Sequence, residues 1–141
     1  MIQKKHVAVL GGGSFGTVLA NFAASNSYQV SLWVRDAEQA LRINSEGANS
    51  TYHPDLKLSN NITANDDLAS VILGAEYVLV ATPSIIFEEV ISRLEPLINS
   101  GQTRESRHQA AAVRRRRRSL RASPSPRRSV VLALGARHSV F

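Results

Sequence analysis

Residues 6–16 read HVAVLGGGSFG, and the fold turns on how this stretch is read. A short apolar run closed by glycines predicts a strand buried on both faces, as in a parallel sheet. Beyond the glycines, Phe15, Val18, Leu19, Phe22 and Ala23 recur at the spacing of a helix with one buried stripe. Between strand and helix lies Gly11-Gly12-Gly13-Ser14-Phe15-Gly16, a GxGxxG loop. In that setting Gly11 allows the tight turn, Gly13 lets a pyrophosphate approach the backbone, and Gly16 lets helix and strand pack closely. The N–H groups that open the helix then face the phosphates. The stretch predicts a dinucleotide site, with a plain glycine turn as the alternative.

Working outward, residues 29–34 (QVSLWV) predict a second strand, rich in β-branched and aromatic side chains. A short helix over 37–43, a polar loop through Asn60 and a brief third strand over 61–64 follow. Asn65 is the expected N-cap of the next helix, with Asp66 and Asp67 at the positive end of its dipole. Leu68, Val71 and Ile72 supply its apolar face, and Gly74 can close it. Residues 76–82 predict a fourth strand. Ser84 can cap a last helix with the stripe Phe87, Val90, Ile91 and Leu94, which Pro96 ends or kinks.

Strand and helix alternate throughout, which predicts an α/β fold: a Rossmann-type doubly wound parallel sheet with helices on both faces. Such a sheet needs another strand after residue 98. Residues 101–118 (GQTRESRHQAAAVRRRRR) instead place charged or polar groups where apolar ones are required. The expectation is an incomplete Rossmann domain over 1–101, followed by a disordered Arg-rich tail over 102–141.

The charge divides at the same place. The chain of 141 residues has a net charge of +6 and a pI near 10.5. Residues 1–101 hold six cations against ten acids, and residues 102–141 hold eleven arginines against one acid. All the basicity is therefore in the tail, and the body has no nucleic-acid footprint. There is no cysteine, so disulfides and thiolate metal sites are excluded. No apolar stretch approaches membrane-spanning length and no secretory leader is evident, so a cytoplasmic protein is expected. Nothing in the sequence specifies an oligomer.

Two further places bear on a ligand. An acid commonly ends the second strand to bind the adenosine ribose; here the residues are Leu32-Trp33-Val34-Arg35-Asp36. Arg35 suits the 2′-phosphate of NADP or the adenine face, so NADP is expected to be accepted, with NAD as the other candidate cofactor; a solvated loop arginine is the alternative. Ala81-Thr82-Pro83-Ser84 ends the fourth strand at the crevice where doubly wound sheets bind ligands. Ser84 is a cofactor-binding candidate there, or a helix cap only. Trp33 and Phe87 suit either the core or the cleft. His6, His53, His108 and His138 share no metal-ligand spacing and are assigned no role, so no metal is expected.

With these motifs in place, the chain resembles the amino-terminal part of NAD(P)-dependent glycerol-3-phosphate dehydrogenase of the bacterial type. The resemblance rests on GGGSFGT (11–17), LWVRD (32–36), Asn49-Ser50-Thr51-Tyr52-His53-Pro54, Thr63-Ala64-Asn65-Asp66-Asp67-Leu68 and VATPS (80–84), and covers about residues 5–101. His53 and Asp55 stand where the family more often has Leu and Gly. The resemblance implies hydride transfer from NAD(P)H to dihydroxyacetone phosphate, giving sn-glycerol 3-phosphate for phospholipid synthesis. It implies cofactor roles for Ser14, Phe15 and Arg35. It also implies catalytic lysines, one in an Ala-Ser/Thr-Lys-Gly motif after the fifth strand and one in a helical carboxy-terminal domain. The last lysine here is Lys57, so no catalytic residue is assigned, and the chain is expected to bind cofactor without turnover.

Three accounts compete for residues 102–141: a basic arm that binds nucleic acid through phosphates, a functionless solvated tail, and an out-of-frame translation of a dehydrogenase gene. Eleven arginines without a single lysine, beginning where a strand is due, favour the last. Nucleic acid is then not an expected partner.

Overall fold

The computed structural model describes residues 4–98 and 130–133. Its elements follow the expected alternation: β1 (His6–Leu10), α1 (Ser14–Ser25), β2 (Gln29–Trp33), α2 (Ala37–Glu46), β3 (Ile62–Asn65), α3 (Leu68–Ile72), β4 (Tyr77–Val80), α4 (Ser84–Ile98) and β5 (Val130–Ala133). The strands form one sheet in the order β3-β2-β1-β4-β5. Every pairing is parallel, with Leu10 level with Trp33 on one side and Val80 on the other. The order reverses at β1, so the switch point lies between β1 and β4.

Strand alternation divides the core into two. Ala8, Leu10, Val78 and Val80 meet Leu68, Val71 and Ile72 of α3 and Phe87, Val90 and Leu94 of α4. Val7, Val9, Val30 and Leu32 meet Ala20, Ala23 and Ala24 of α1 and Ala40 and Ile43 of α2. Helices thus cover both faces, which makes the sheet doubly wound. Burying a side chain the size of Leu94 or Phe87 contributes roughly 1.5–3 kcal/mol.

The α1 face differs from the expectation. Phe15, Val18 and Phe22 are exposed, Phe22 to 68%. The buried residues are Gly16, Thr17, Ala20, Ala23 and Ala24. The helix is apolar nearly all round, so its period supports two stripes. Close approach to the glycine loop selects the small one.

Smaller differences have local causes. Asn65 is the last residue of β3, and the N-cap of α3 is Asp67, whose carboxylate accepts from the Ser70 N–H. The Asn65 side chain instead accepts from the Asp67 N–H. Helix α4 continues through Pro96 to Ile98. α2 runs on to Glu46 and stops at Gly47, a left-handed C-cap with φ 65°.

The expected end of the sheet is also extended. Residues Val130–Ala133, inside the stretch assigned to the tail, pair in parallel with β4. The four-residue run VVLA is a fitting strand sequence, but arginines dominate the residues before it. The rest of 99–141, with the arginine run and the expected disorder, lies outside the described residues.

Candidate functional site

The glycine loop sits at the carboxyl end of β1, and each glycine stands there for a different reason. Gly11 has φ 126°, and a Cβ on it would lie 2.4 Å from the Ala81 carbonyl oxygen. A Cβ on Gly16 would lie 1.8 Å from the Gly11 carbonyl oxygen, so α1 starts almost in contact with the turn. Gly12 would drive a Cβ into Val34 Cγ1 at 2.2 Å. At Gly13 a Cβ would meet nothing within 4 Å, and its φ of −80° is open to any residue. Protein packing therefore explains Gly11, Gly12 and Gly16, and leaves Gly13 without an internal reason to be glycine.

The carbonyl side of this loop is already satisfied. Gly12 O accepts from Gln39 Nε2 at 2.9 Å and from Asn49 Nδ2 at 2.8 Å. Asn49 Nδ2 also donates to Thr17 Oγ1 at 2.8 Å, and Thr17 Oγ1 donates to Gly13 O at 2.6 Å. Asn49 and Thr17 are both buried, so these bonds form in a low-dielectric setting that strengthens them. By contrast no side chain caps the start of α1, and its first turn has no acid. The N–H groups that open the helix are thus left to carry its positive end.

Around the loop stand the other residues named from the sequence. Phe15 is 46% exposed on the first turn of α1, next to the exposed Ser14. Arg35 follows β2, is exposed, and reaches Glu89 of α4 at 3.7 Å. Ser84 opens α4 and is exposed. Gly11, Gly13, Ser14, Phe15, Gly16, Arg35 and Ser84 therefore gather at the carboxyl ends of β1, β2 and β4. Trp33 and Phe87 belong to the core instead. The Trp33 indole donates to Asp66 O at 2.9 Å, and Arg93 lies 5.5 Å over its ring.

Sequence reasoning missed four participants. Asn49 and Thr17 sat inside quoted motifs, but nothing local marks a side chain that will bond a loop carbonyl 37 residues away. His53, assigned no role, has its Nε2 3.0 Å from Ser14 Oγ and 3.0 Å from Ser14 O. Thr82 is 1% exposed at the end of β4, and its hydroxyl has no partner among the described residues. Also among the described residues, no cluster of His, Asp or Glu could hold a metal, and no helix is long and apolar enough to cross a membrane.

A family model described as NAD-dependent glycerol-3-phosphate dehydrogenase N-terminus matches residues 6–111. The chain belongs to that family. Its glycerol-3-phosphate dehydrogenase relatives include the NAD(P)+ enzymes of Leuconostoc mesenteroides, 46% identical over 93 residues, and Alcanivorax borkumensis, 47% identical over 94. These alignments take in 66% of this chain in both cases, but 28% and 27% of the relatives. The chain thus matches less than a third of their length. The crystal structure of glycerol-3-phosphate dehydrogenase from Coxiella burnetii superposes with a TM-score of 0.64 at 35% identity, covering 67% of this chain and 29% of that one.

Proposed function

We propose that this chain is the dinucleotide-binding module of a glycerol-3-phosphate dehydrogenase, holding NAD or NADP at the β1–α1 turn. The observation that carries the reading is Gly13. It lies beside an uncapped helix start, and its missing Cβ would meet no protein atom. A glycine with no packing reason at that point is explained by a phosphate lying against its backbone. The orphaned Thr82 hydroxyl supports the fit, because a buried unpaired hydroxyl costs roughly 1–3 kcal/mol unless a ligand satisfies it.

In this reading the N–H groups at Ser14, Phe15 and Gly16 bind the diphosphate, and the Ser14 hydroxyl adds a donor. Phe15 lines the cleft, Ser84 faces it from the start of α4, and Arg35 meets the adenosine end. The Arg35–Glu89 pair has both partners more than half exposed, so it is worth about 0–1 kcal/mol and yields readily to a 2′-phosphate. In the family's reaction a bound dinucleotide would supply the hydride that converts dihydroxyacetone phosphate to sn-glycerol 3-phosphate. Holding that substrate and protonating its oxygen calls for cations. The proposal for this chain is cofactor binding, in a cytoplasmic setting suited to soluble phosphorylated substrates.

Fluorescence titration with NADH and NADPH tests the reading. Both are expected to bind, and Arg35→Ala is expected to weaken NADPH by about tenfold while leaving NADH within about twofold. Binding of neither cofactor overturns the module reading, and unchanged NADPH affinity in Arg35→Ala removes Arg35 from it.

A further inference from the structure

Resting on the dinucleotide reading, we propose that His53 is a positioning residue for the cofactor's diphosphate, acting through Ser14. Its Nε2 lies 3.0 Å from the Ser14 carbonyl oxygen and 3.0 Å from Ser14 Oγ. A carbonyl oxygen only accepts, so the first contact requires a proton on Nε2. That proton can be shared with Oγ, which then serves as acceptor and keeps its own hydrogen free. Ser14 is the first residue of α1, next to Gly13 and the uncapped helix start. With its oxygen engaged by His53, its O–H is available to donate to a phosphate oxygen.

The loop that carries His53 is itself fixed to the phosphate turn. The His53 N–H donates to Asn49 O at 2.8 Å, and the Asn49 side chain bonds Gly12 O and Thr17 Oγ1. The turn is therefore gripped on its carbonyl side by Asn49 and at Ser14 by His53. A leucine at position 53 would have no donor and could not hold Ser14.

The test compares the parent chain with His53→Leu and His53→Gln in NADH and ADP titrations, with adenosine as a ligand lacking phosphate. His53→Leu is expected to weaken NADH and ADP by about three- to tenfold, the net worth of one ordinary hydrogen bond. His53→Gln, whose amide can donate to the same carbonyl, is expected to return to within about twofold of the parent. Adenosine affinity is expected to be unchanged in both variants. In a Ser14→Ala background, His53→Leu is expected to add nothing, since the two residues act as one unit. Parent-like NADH affinity in His53→Leu overturns the proposal. So does a loss that extends equally to adenosine, or one that persists in full without the Ser14 hydroxyl. A parent chain that binds no dinucleotide defeats the module reading itself, and that result is read before any variant is made.

Discussion

Two helices begin within reach of the same crevice and are finished differently. α2 has Asp36 at its N-cap, whose carboxylate accepts from the Glu38 N–H at 2.9 Å, and Glu38 adds an acid in the first turn. α3 is closed in the same way by Asp67, and a hydrogen bond from the Ser70 hydroxyl holds that exposed carboxyl below its ordinary value. α1 has Gly13 at its N-cap, no capping side chain and no acid. An aspartate there would satisfy the helix as it does in α2, and would repel a phosphate. The difference teaches that α1 is left incomplete at the point where an anion can finish it.

Substitutions on the two helix starts break or sharpen this contrast. The largest effect is expected from Gly16→Ala, because its Cβ would lie 1.8 Å from the Gly11 carbonyl oxygen and backbone would have to move. A loss of about 3 kcal/mol or more in urea denaturation is expected, as for severe overpacking. A near-neutral result would mean that α1 is not held against the turn. Next is Gly13→Asp, which gives α1 the cap that α2 already has. Its Cβ has room, so stability is expected to hold or rise by a few tenths of a kcal/mol. NADH affinity is expected to fall by about a hundredfold, from charge repulsion and the lost approach to the backbone. Retained affinity would show that the diphosphate does not lie there. The smallest effect is on the other helix: Asp36→Ala is expected to cost about 1 kcal/mol in urea denaturation and to leave NADH affinity within twofold. A large change in affinity would mean that the α2 start is part of the site.

Much of this could be read along the chain. The run HVAVL, the GxGxxG spacing and the stripe Phe87, Val90 and Leu94 are local patterns, and each produced the expected element. Arg35 and Ser84 were singled out because they follow strands whose ends must meet at the crevice. The buried face of α1 was misread, because Phe15, Val18 and Phe22 look more like core than Gly16, Ala20 and Ala24 do. β5 escaped because four apolar residues follow an arginine-dominated stretch, far from where a strand was due.

The sequence by itself determined the order of strands and helices from β1 to α4, the glycine turn after β1 and the absence of a capping acid on α1, since these depend on residues within a few positions of one another. Only the tertiary structure decided which face of α1 is buried, because that depends on how closely the helix approaches the turn. It alone brought Asn49 and His53 onto the glycine loop and Glu89 beside Arg35. Those contacts join segments far apart in the chain, and no local period or propensity encodes which of many polar side chains will arrive there.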